Sequence, residues 1–310
     1  MTTDAFQPVP PAAAPEPGAA YAGLGRTTFG RRLRSNGAAA LITLAFLIAL
    51  APLVAVLWTV ISKGLKDFDP YFLTHSMRNV AETDSFGGIY HAILGTLEQV
   101  AMTAVITVPL AIMVAIYLVE YGRGALAKAV TFFVDVMMGL PSIVAGLFIL
   151  SVWILGLHFQ AAGFAGSLAL VILMLPITIR STEEMLRLVP HGLREASYAL
   201  GVSRWRTITR VVVPTALPGI VTGIMLGVAR VMGETAPVLL LVGATSSINP
   251  NLFAGAQGSL PVFIFGEASQ PEATAQARAW AAALTLILLV LLLNLIARAI
   301  AWWKAPADTR

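Results

Sequence analysis

Arg230 and Glu234 are the residues of this sequence best placed to act on a charged molecule. They stand one helical turn apart inside a long apolar segment, residues 216–242. An ionised side chain at such a place is costly unless it faces a partner or water. The forked N–H donors of a guanidinium suit an oxyanion, and Glu234 can compensate the arginine charge. The pair predicts either an anion-binding point inside a membrane or an ion pair that only fixes packing.

Several kinds of catalytic and metal-binding chemistry have no candidate residues. The chain contains no cysteine, which excludes disulfides, thiolate metal sites and cysteine nucleophiles. No lysine follows a glycine, so the phosphate-binding Walker loop is absent, and the four histidines are scattered. The residues therefore nominate no catalytic constellation and no metal or cofactor site, but they alone leave a membrane enzyme open.

A basic connector, residues 190–214, joins two apolar segments and predicts a short amphipathic helix, a turn and a second basic segment over 205–210; the coupling helix as a whole is predicted over about 191–205. Leu193, Ala196 and Ala199 recur at helical spacing, and Gly201 stands where a C-terminal cap glycine belongs. Trp205 and three arginines follow. In one interpretation this helix lies on lipid headgroups; in the other it inserts into a groove of a partner protein. The residues alone leave both open.

The connector resembles the EAA signature of ABC importer permeases. That signature is Glu-Ala-Ala, three residues, Gly, nine residues and Ile-x-Leu-Pro. The residues that match it in type and spacing are Glu195, Ala196, Gly201 and Pro214. Ser197 replaces the second Ala, and Val211 and Val213 replace Ile and Leu. The resemblance implies that the connector is a coupling helix, which docks on a separate ATPase.

Two further segments resemble the PstA-type permeases of phosphate importers. They are Ala-Arg-Val-Met-Gly-Glu-Thr-Ala-Pro at 229–237 and Leu-Pro-Ser-Ile-Val-Ala-Gly at 140–146. The resemblance covers about residues 38–303 and implies a MetI-like ABC importer permease fold. It also implies an assembly with a second permease of the PstC type, an ATPase dimer of the PstB type that binds ATP and Mg, and an extracytoplasmic phosphate-binding protein of the PstS type.

Local chemistry, and for the connector the resemblance, predict a role for each of the residues singled out. The phosphate pathway would contain Arg230, Glu234 and Thr235. Coupling to the ATPase would use Glu195, Ala196, Gly201, Trp205 and Pro214. Helix packing or kinking would depend on Pro141, Ser142, Gly233 and Pro237, with the hydroxyl of Ser142 covering a freed carbonyl. The alternatives are a permease for another oxyanion such as sulfate or molybdate, an ATP-independent channel or secondary transporter, and a structural scaffold.

The elements that carry these residues are predicted to be membrane spans. Apolar types make up 57% of the 310 residues and charged types only 12%, which indicates an all-α integral membrane protein. Each of six apolar segments is near or above the roughly 20 residues needed to cross a bilayer. These spans are residues 38–61, 93–118, 130–157, 167–188, 216–242 and 280–303.

The charges near the spans predict the topology. Lysine and arginine concentrate in the N-terminal tail, the loop of the 120s, the connector and the C-terminus, so both termini should be cytoplasmic. We expect a multi-pass protein of the bacterial inner membrane, surrounded by lipid and without a nucleic-acid partner. Residues 1–36 are rich in Pro and Ala and predict a disordered cytoplasmic tail, and residues 304–310 a second, short one.

Charged residues within the other spans should be compensated. In the fourth span, helical pairs are predicted between Arg180 and Glu184 and between Glu183 and Arg187. Asp135 and Glu98 should snorkel to the interface or find a polar partner. The apolar piece at 260–265 is too short to span and should be interfacial or re-entrant.

Overall fold

The computed structural model describes residues 29–304, and every regular element in that range is helical. Most of the predicted N-terminal tail and residues 305–310 lie outside the described residues. Residues 29–36, predicted to be part of the tail, belong to the first helix. The helices are α1 Phe29–Gly64, α2 Pro70–Thr74, α3 Tyr90–Ile116, α4 Gly124–Met138, α5 Ser142–Ile149, α6 Gly163–Leu188, α7 His191–Ala199, α8 Arg204–Thr207, α9 Val213–Met232, α10 Ala236–Val242, α11 Leu260–Ala268 and α12 Ala273–Lys304.

Three π-helical turns extend or join these helices: Tyr117–Tyr121 after α3, Leu150–Gly156 after α5 and Ile208–Val212 between α8 and α9. The chain divides after Leu57 into two units. Of the first unit, the structure describes the part of α1 that ends at Leu57, whose large apolar side chains, including Leu41 and Phe46, are exposed. An apolar helix with such a surface suits lipid. Every residue of the sites discussed below lies in the second unit.

Within residues 29–304, five helices are long and apolar enough to cross a membrane: Leu33–Gly64, Tyr90–Tyr121, Gly163–Leu188, Arg204–Met232 and Ala273–Ala299. The sixth candidate is the pair of α4 and α5, which bend by 107° relative to each other. The kink predicted at Pro141 and Ser142 within residues 130–157 is therefore present, as a sharp bend. The bend falls at residues 139–141, where Pro141 lacks an amide donor and its ring disfavours helical geometry at Leu140.

The predicted fifth span also differs from the structure, at both of its ends. The helical segment begins at Arg204 rather than at residue 216, because the π-helical turn Ile208–Val212 joins α8 to α9 without a break. Pro214 stands in the first turn of α9, where a proline is tolerated. The segment ends at Met232, and residues 236–242 form the separate helix α10.

Helix α6 is the centre of the packed core. It packs against α3, α4, α5, α9 and α10, and its buried residues Leu170, Leu173 and Met174 belong to the largest apolar cluster. Glycines on α9 let the two helices approach closely: Gly223 faces Ser181, and Gly227 faces Thr178 and Met174. The small residues of α9 thus draw it against α6 in antiparallel orientation.

A cluster of polar side chains links the loop before α11 to α3 by hydrogen bonds. Gln99 Nε2 donates to Gln257 Oε1 at 3.0 Å, and Gln257 Nε2 donates to Glu98 Oε2 at 2.5 Å. Both glutamines are buried. Glu98 therefore has the polar partner predicted as one of its two options. Helix α11, at the predicted short apolar piece, packs on α3 and α12 and is too short to cross a membrane.

We predict that Gly146→Ala destabilises the protein, because α5 and α10 touch at this position. A Cβ on Gly146 would lie 2.9 Å from the Pro237 Cα, which is backbone and has little room to move. Overpacking of this kind costs about 1–3 kcal/mol. Thermal unfolding in detergent should show a lowered midpoint. The matched control is Gly266→Ala in α11, where no atom lies within 4 Å of the added Cβ; equal midpoints for the two variants would contradict the prediction.

Candidate functional site

Helix α7 is held to the membrane domain by one buried arginine. Arg194 Nε donates to Glu120 Oε1 at 3.1 Å, Nη1 to the Val189 carbonyl at 2.6 Å and Nη2 to the Leu186 carbonyl at 2.9 Å. Glu120 lies in the π-helical turn after α3, and the two carbonyls lie at the end of α6. A single side chain thus joins the connector to two spans. Sequence reasoning had placed Arg194 only among the charges of the cytoplasmic side.

The end of α7 has the geometry of a Schellman motif. The Val202 amide donates to the Ser197 carbonyl and the Gly201 amide to the Tyr198 carbonyl, with Gly201 at a φ of 75°. The prediction that Gly201 caps the helix is therefore confirmed. The predicted helix over 191–205 is too long, because α7 ends at Ala199 and Trp205 lies in α8. The hydroxyls of Ser197 and Thr207, 2.8 Å apart, hold the two helices together.

The opposite face of α7 is free to meet another molecule. Glu195 and Ala196 are exposed, and Glu195 makes no hydrogen bond or ion pair with the described residues. Trp205 is 61% exposed, an unusual position for a large aromatic side chain. Pro214 is nine residues beyond Trp205, which is about 13 Å along a helix, so it does not join this surface. We call the surface of Glu195, Ala196 and Trp205 the connector surface.

The second candidate site lies at the break between α9 and α10. Arg230 Nε is 3.7 Å from Glu234 Oε1, and the arginine side chain is 55% exposed whereas that of Glu234 is 16% exposed. Gly233 ends α9, Thr235 is the N-terminal cap residue of α10 and Pro237 is in its first turn. The predicted pair is present, but Gly233 serves the helix end rather than close helix packing.

The break lies well inside the membrane domain. One turn before Arg230, Gly227 faces Thr178 and Met174 near the middle of α6. Beyond the break, Val242 lies against Gly166 near the start of α6. The chain therefore passes Arg230 part-way along the length of α6. A charge at this depth that is more than half exposed must face a partner subunit or water, because contact with lipid would cost about 3 kcal/mol or more.

The bent pair of α4 and α5 and the broken segment of α9 and α10 contact each other. Gly146 on α5 meets Pro237 on α10, and both helices pack on α6. Pro141 is the N-terminal cap residue of α5 and Ser142 its first residue. The hydroxyl of Ser142 makes no hydrogen bond with the described residues, so its predicted role at a freed carbonyl is wrong; the Val144 amide instead donates to the Pro141 carbonyl at 2.9 Å.

A charge network that the sequence did not predict joins α4 to α6. Arg180 donates to Asp135 and, at 2.8 Å, to Glu183, and Arg187 donates to Glu183 at 2.7 Å. The predicted pair of Arg180 with Glu184 is absent, whereas that of Glu183 with Arg187 is confirmed. Asp135 has the polar partner that was expected as one option. One feature of the sequence could have predicted the contact between Arg180 and Asp135: their opposite charges lie in different spans, and each needs a partner.

The comparisons with known proteins agree in family. Residues 107–303 match the family model of the binding-protein-dependent transport system inner membrane component. The chain is 52% identical over 274 residues to the phosphate transport system permease protein PstA 1 of Mycobacterium tuberculosis, covering 88% of this chain and 90% of that one. It is 39% identical over 272 residues to PstA of Yersinia pestis, covering 87% of this chain and 90% of that one.

Solved structures share the fold at low sequence identity. A chain of a bacterial alginate ABC transporter, crystallised with an alginate-bound periplasmic protein, superposes with a TM-score of 0.64 at 15% identity and covers 88% of this chain and 96% of its own. A chain of the inward-facing MetNI methionine ABC transporter superposes with a TM-score of 0.54 at 21% identity and covers 71% and 95%. The fold is thus that of ABC transporter membrane subunits.

Proposed function

Because this chain belongs to the PstA family of phosphate transport system permeases, we propose that it forms one half of a membrane pathway that imports inorganic phosphate. The observation that carries this proposal is Arg230, a half-exposed guanidinium at a helix break deep within the membrane domain. Its forked donors suit a phosphate oxyanion. Glu234 weakens the hold on the anion, so that phosphate is released rather than trapped.

The other half of the pathway would come from a homologous permease of the PstC type. The exposed face of Arg230 needs a polar neighbour in the membrane, and a second permease packed on that face supplies one together with an aqueous path. Thr235, beside Glu234 at the break, would add a hydroxyl to the same path. A soluble phosphate-binding protein of the PstS type would deliver phosphate from outside.

Energy would come from an ATPase dimer of the PstB type, which binds ATP and Mg. The connector surface of Glu195, Ala196 and Trp205 would dock on that ATPase at the cytoplasmic side, where the positive charges of the chain also place both termini. Closure of the ATPase dimer would draw the two connectors together and open the pathway outward. Reopening would release phosphate inward, so this chain itself catalyses no reaction.

Uptake by the purified complex in liposomes tests the proposed substrate. We expect uptake of radioactive phosphate that requires ATP and the binding protein, with little competition from sulfate or molybdate. Efficient competition by either anion would favour a permease for that oxyanion. Uptake driven by an ion gradient without ATP would instead favour a secondary transporter and would remove the role of the connector surface.

We predict that Gly201→Val impairs coupling because Gly201 has a φ of 75°, where a β-branched residue is strained. The Schellman bonds would open and α8 would change direction relative to α7. Phosphate uptake should fall about tenfold per ATP hydrolysed, since a strain of 1–2 kcal/mol shifts the equilibrium by that order.

Gly201→Asn is the matched control for this prediction. Asparagine tolerates the left-handed region better than other side chains, and no atom lies within 4 Å of an added Cβ at this position. The asparagine variant should therefore retain most of the coupled uptake. If valine and asparagine behave alike, the backbone conformation of Gly201 does not matter for coupling.

A further inference from the structure

A cavity of about 550 Å³ lies at the end of the membrane domain that carries α7. It is enclosed by the π-helical turn after α3, the turn that leads into α4, the end of α6, and helices α7 and α8. Its wall is unusually rich in arginine. The charged or titratable residues that line it are Glu120, Arg123, Arg187, His191, Arg194, Tyr198 and Arg204.

The positive charge of this cavity exceeds what the chain compensates. The carboxylate in the wall, Glu120, is already engaged by Arg194, and Arg187 is engaged by Glu183. Arg123 makes no hydrogen bond or ion pair with the described residues. The guanidinium of Arg204 lies 4.6 Å from the ring centroid of Tyr121, a contact that leaves its charge unneutralised. Two uncompensated arginine charges therefore converge on one recess, where an anion would be attracted.

The size and position of the cavity indicate what kind of anion it holds. Its volume is in the range of small-molecule sites. It lies where several candidate spans end, and the apolar side chains of Leu126 and Leu188 are exposed near Arg123 and Arg187 in the sequence. Basic pockets between spans at the cytoplasmic side bind phosphate-bearing headgroups. Arginine forks suit the tetrahedral oxygens of a phosphate group.

We propose that this cavity is a second anion site, separate from the one at Arg230. The cavity binds a phosphate group at the cytoplasmic end of the subunit. The group is carried by an anionic phospholipid or is free inorganic phosphate. The proposal rests on the proposed function only in taking this end as cytoplasmic. Because Arg123 and Arg204 line a recess of small-molecule size, a small tetrahedral anion fits it better than the acidic side chains of a docking protein.

The test removes the two uncompensated charges with Arg123→Gln and Arg204→Gln in the permease–ATPase complex. The matched control is Arg206→Gln with Arg210→Gln, which removes the same charge from exposed residues of the same segment outside the cavity. All four arginines are exposed, so the core is untouched. In one arm, complexes in nanodiscs with increasing phosphatidylglycerol are extracted gently, and native mass spectrometry measures the retained lipid.

The second arm measures binding of radioactive inorganic phosphate to the complex in zwitterionic nanodiscs. The binding protein is omitted, and the Arg230→Ala background removes the proposed pathway site. One of the two probes, phosphatidylglycerol or inorganic phosphate, is expected to be the molecule that the cavity binds. The variant with both Arg123→Gln and Arg204→Gln should bind that probe on the order of thirtyfold more weakly, since each arginine near an anionic group contributes about fivefold. Arg123→Gln alone should lose about fivefold, and the control should bind as the parent does.

Two results would overturn the proposal. The first is equal binding by the cavity variant and the control in both arms, because it would show attraction by a generally basic surface. The second is unchanged anion binding with loss of the ATPase from the cavity variant alone, because the arginines would then meet acidic groups of the ATPase. Neither arm depends on which anion is transported, so failure of phosphate uptake would be a separate result.

Discussion

Replacing Arg230 with alanine should abolish ATP-dependent phosphate uptake while the transporter still assembles. The side chain is 55% exposed, and its contact with Glu234 is long at 3.7 Å, so few packing contacts are lost with it. A charge-assisted hydrogen bond contributes about 1.5–3 kcal/mol, and loss of the forked pair should reduce uptake by at least about a hundredfold. The measurement is initial uptake of radioactive phosphate into liposomes that contain the whole complex.

One further variant separates the forked donors of Arg230 from its charge, and a second variant serves as the control. Arg230→Lys keeps the charge but not the forked donors, and should restore only a small part of uptake. Arg206→Ala, at an exposed arginine near the opposite end of the same helical segment, serves as the control and should leave uptake unchanged. Near wild-type uptake by Arg230→Ala would remove this residue from the pathway and, with it, the main support for the proposed route.

Replacing Arg194 with alanine should produce the largest loss of stability and uncouple ATP hydrolysis from transport. The substitution leaves Glu120 buried without its cation and the carbonyls of Leu186 and Val189 without their donor. Breaking a buried ion pair from one side costs about 3–5 kcal/mol. Thermal unfolding of the complex should begin at a clearly lower temperature, and the phosphate transported per ATP hydrolysed should fall severalfold.

A double-mutant cycle identifies the cause of that loss. Glu120→Gln removes the buried charge that Arg194→Ala leaves unpaired. The double variant should therefore lose less unfolding free energy than the sum of the losses in the two single variants. Because Arg194 also serves two carbonyls, stability should not return to that of the parent. Additive effects of the two substitutions would show that the 3.0 Å contact between Arg194 and Glu120 contributes little.

Much of the architecture was predictable because it depends on local patterns. Apolar length predicted the spans, and the glycine at 201 was correctly predicted to cap α7, since a helix end in the left-handed region favours that residue. The pairing of Glu183 with Arg187 followed from helical spacing alone. The cap and the ion pair each depend on residues within about one or two turns of one another.

The features that were missed depend on residues far apart in the sequence. Arg194 and Glu120 are 74 positions apart, and Arg180 and Asp135 are 45 positions apart, so no periodicity relates them. The division of residues 216–242 at Gly233 was also missed, because apolar composition continues across the break. Gly233 and the nearby Pro237 predicted a kink within one helix but not two separate helices. Packing against α5 and α6, rather than local preference, determines that geometry.

The uninterrupted helical segment from Arg204 to Met232 has a mechanical consequence for the transport cycle. Trp205 and Arg230 stand 25 positions apart on it, or about 38 Å at the rise of an α-helix. A tilt of the whole segment by roughly ten degrees displaces one end relative to the other by about 6.5 Å. A pull by a partner at the tryptophan would thus shift the guanidinium by more than the diameter of a phosphate ion, provided that α6, against which α9 packs, moves with it.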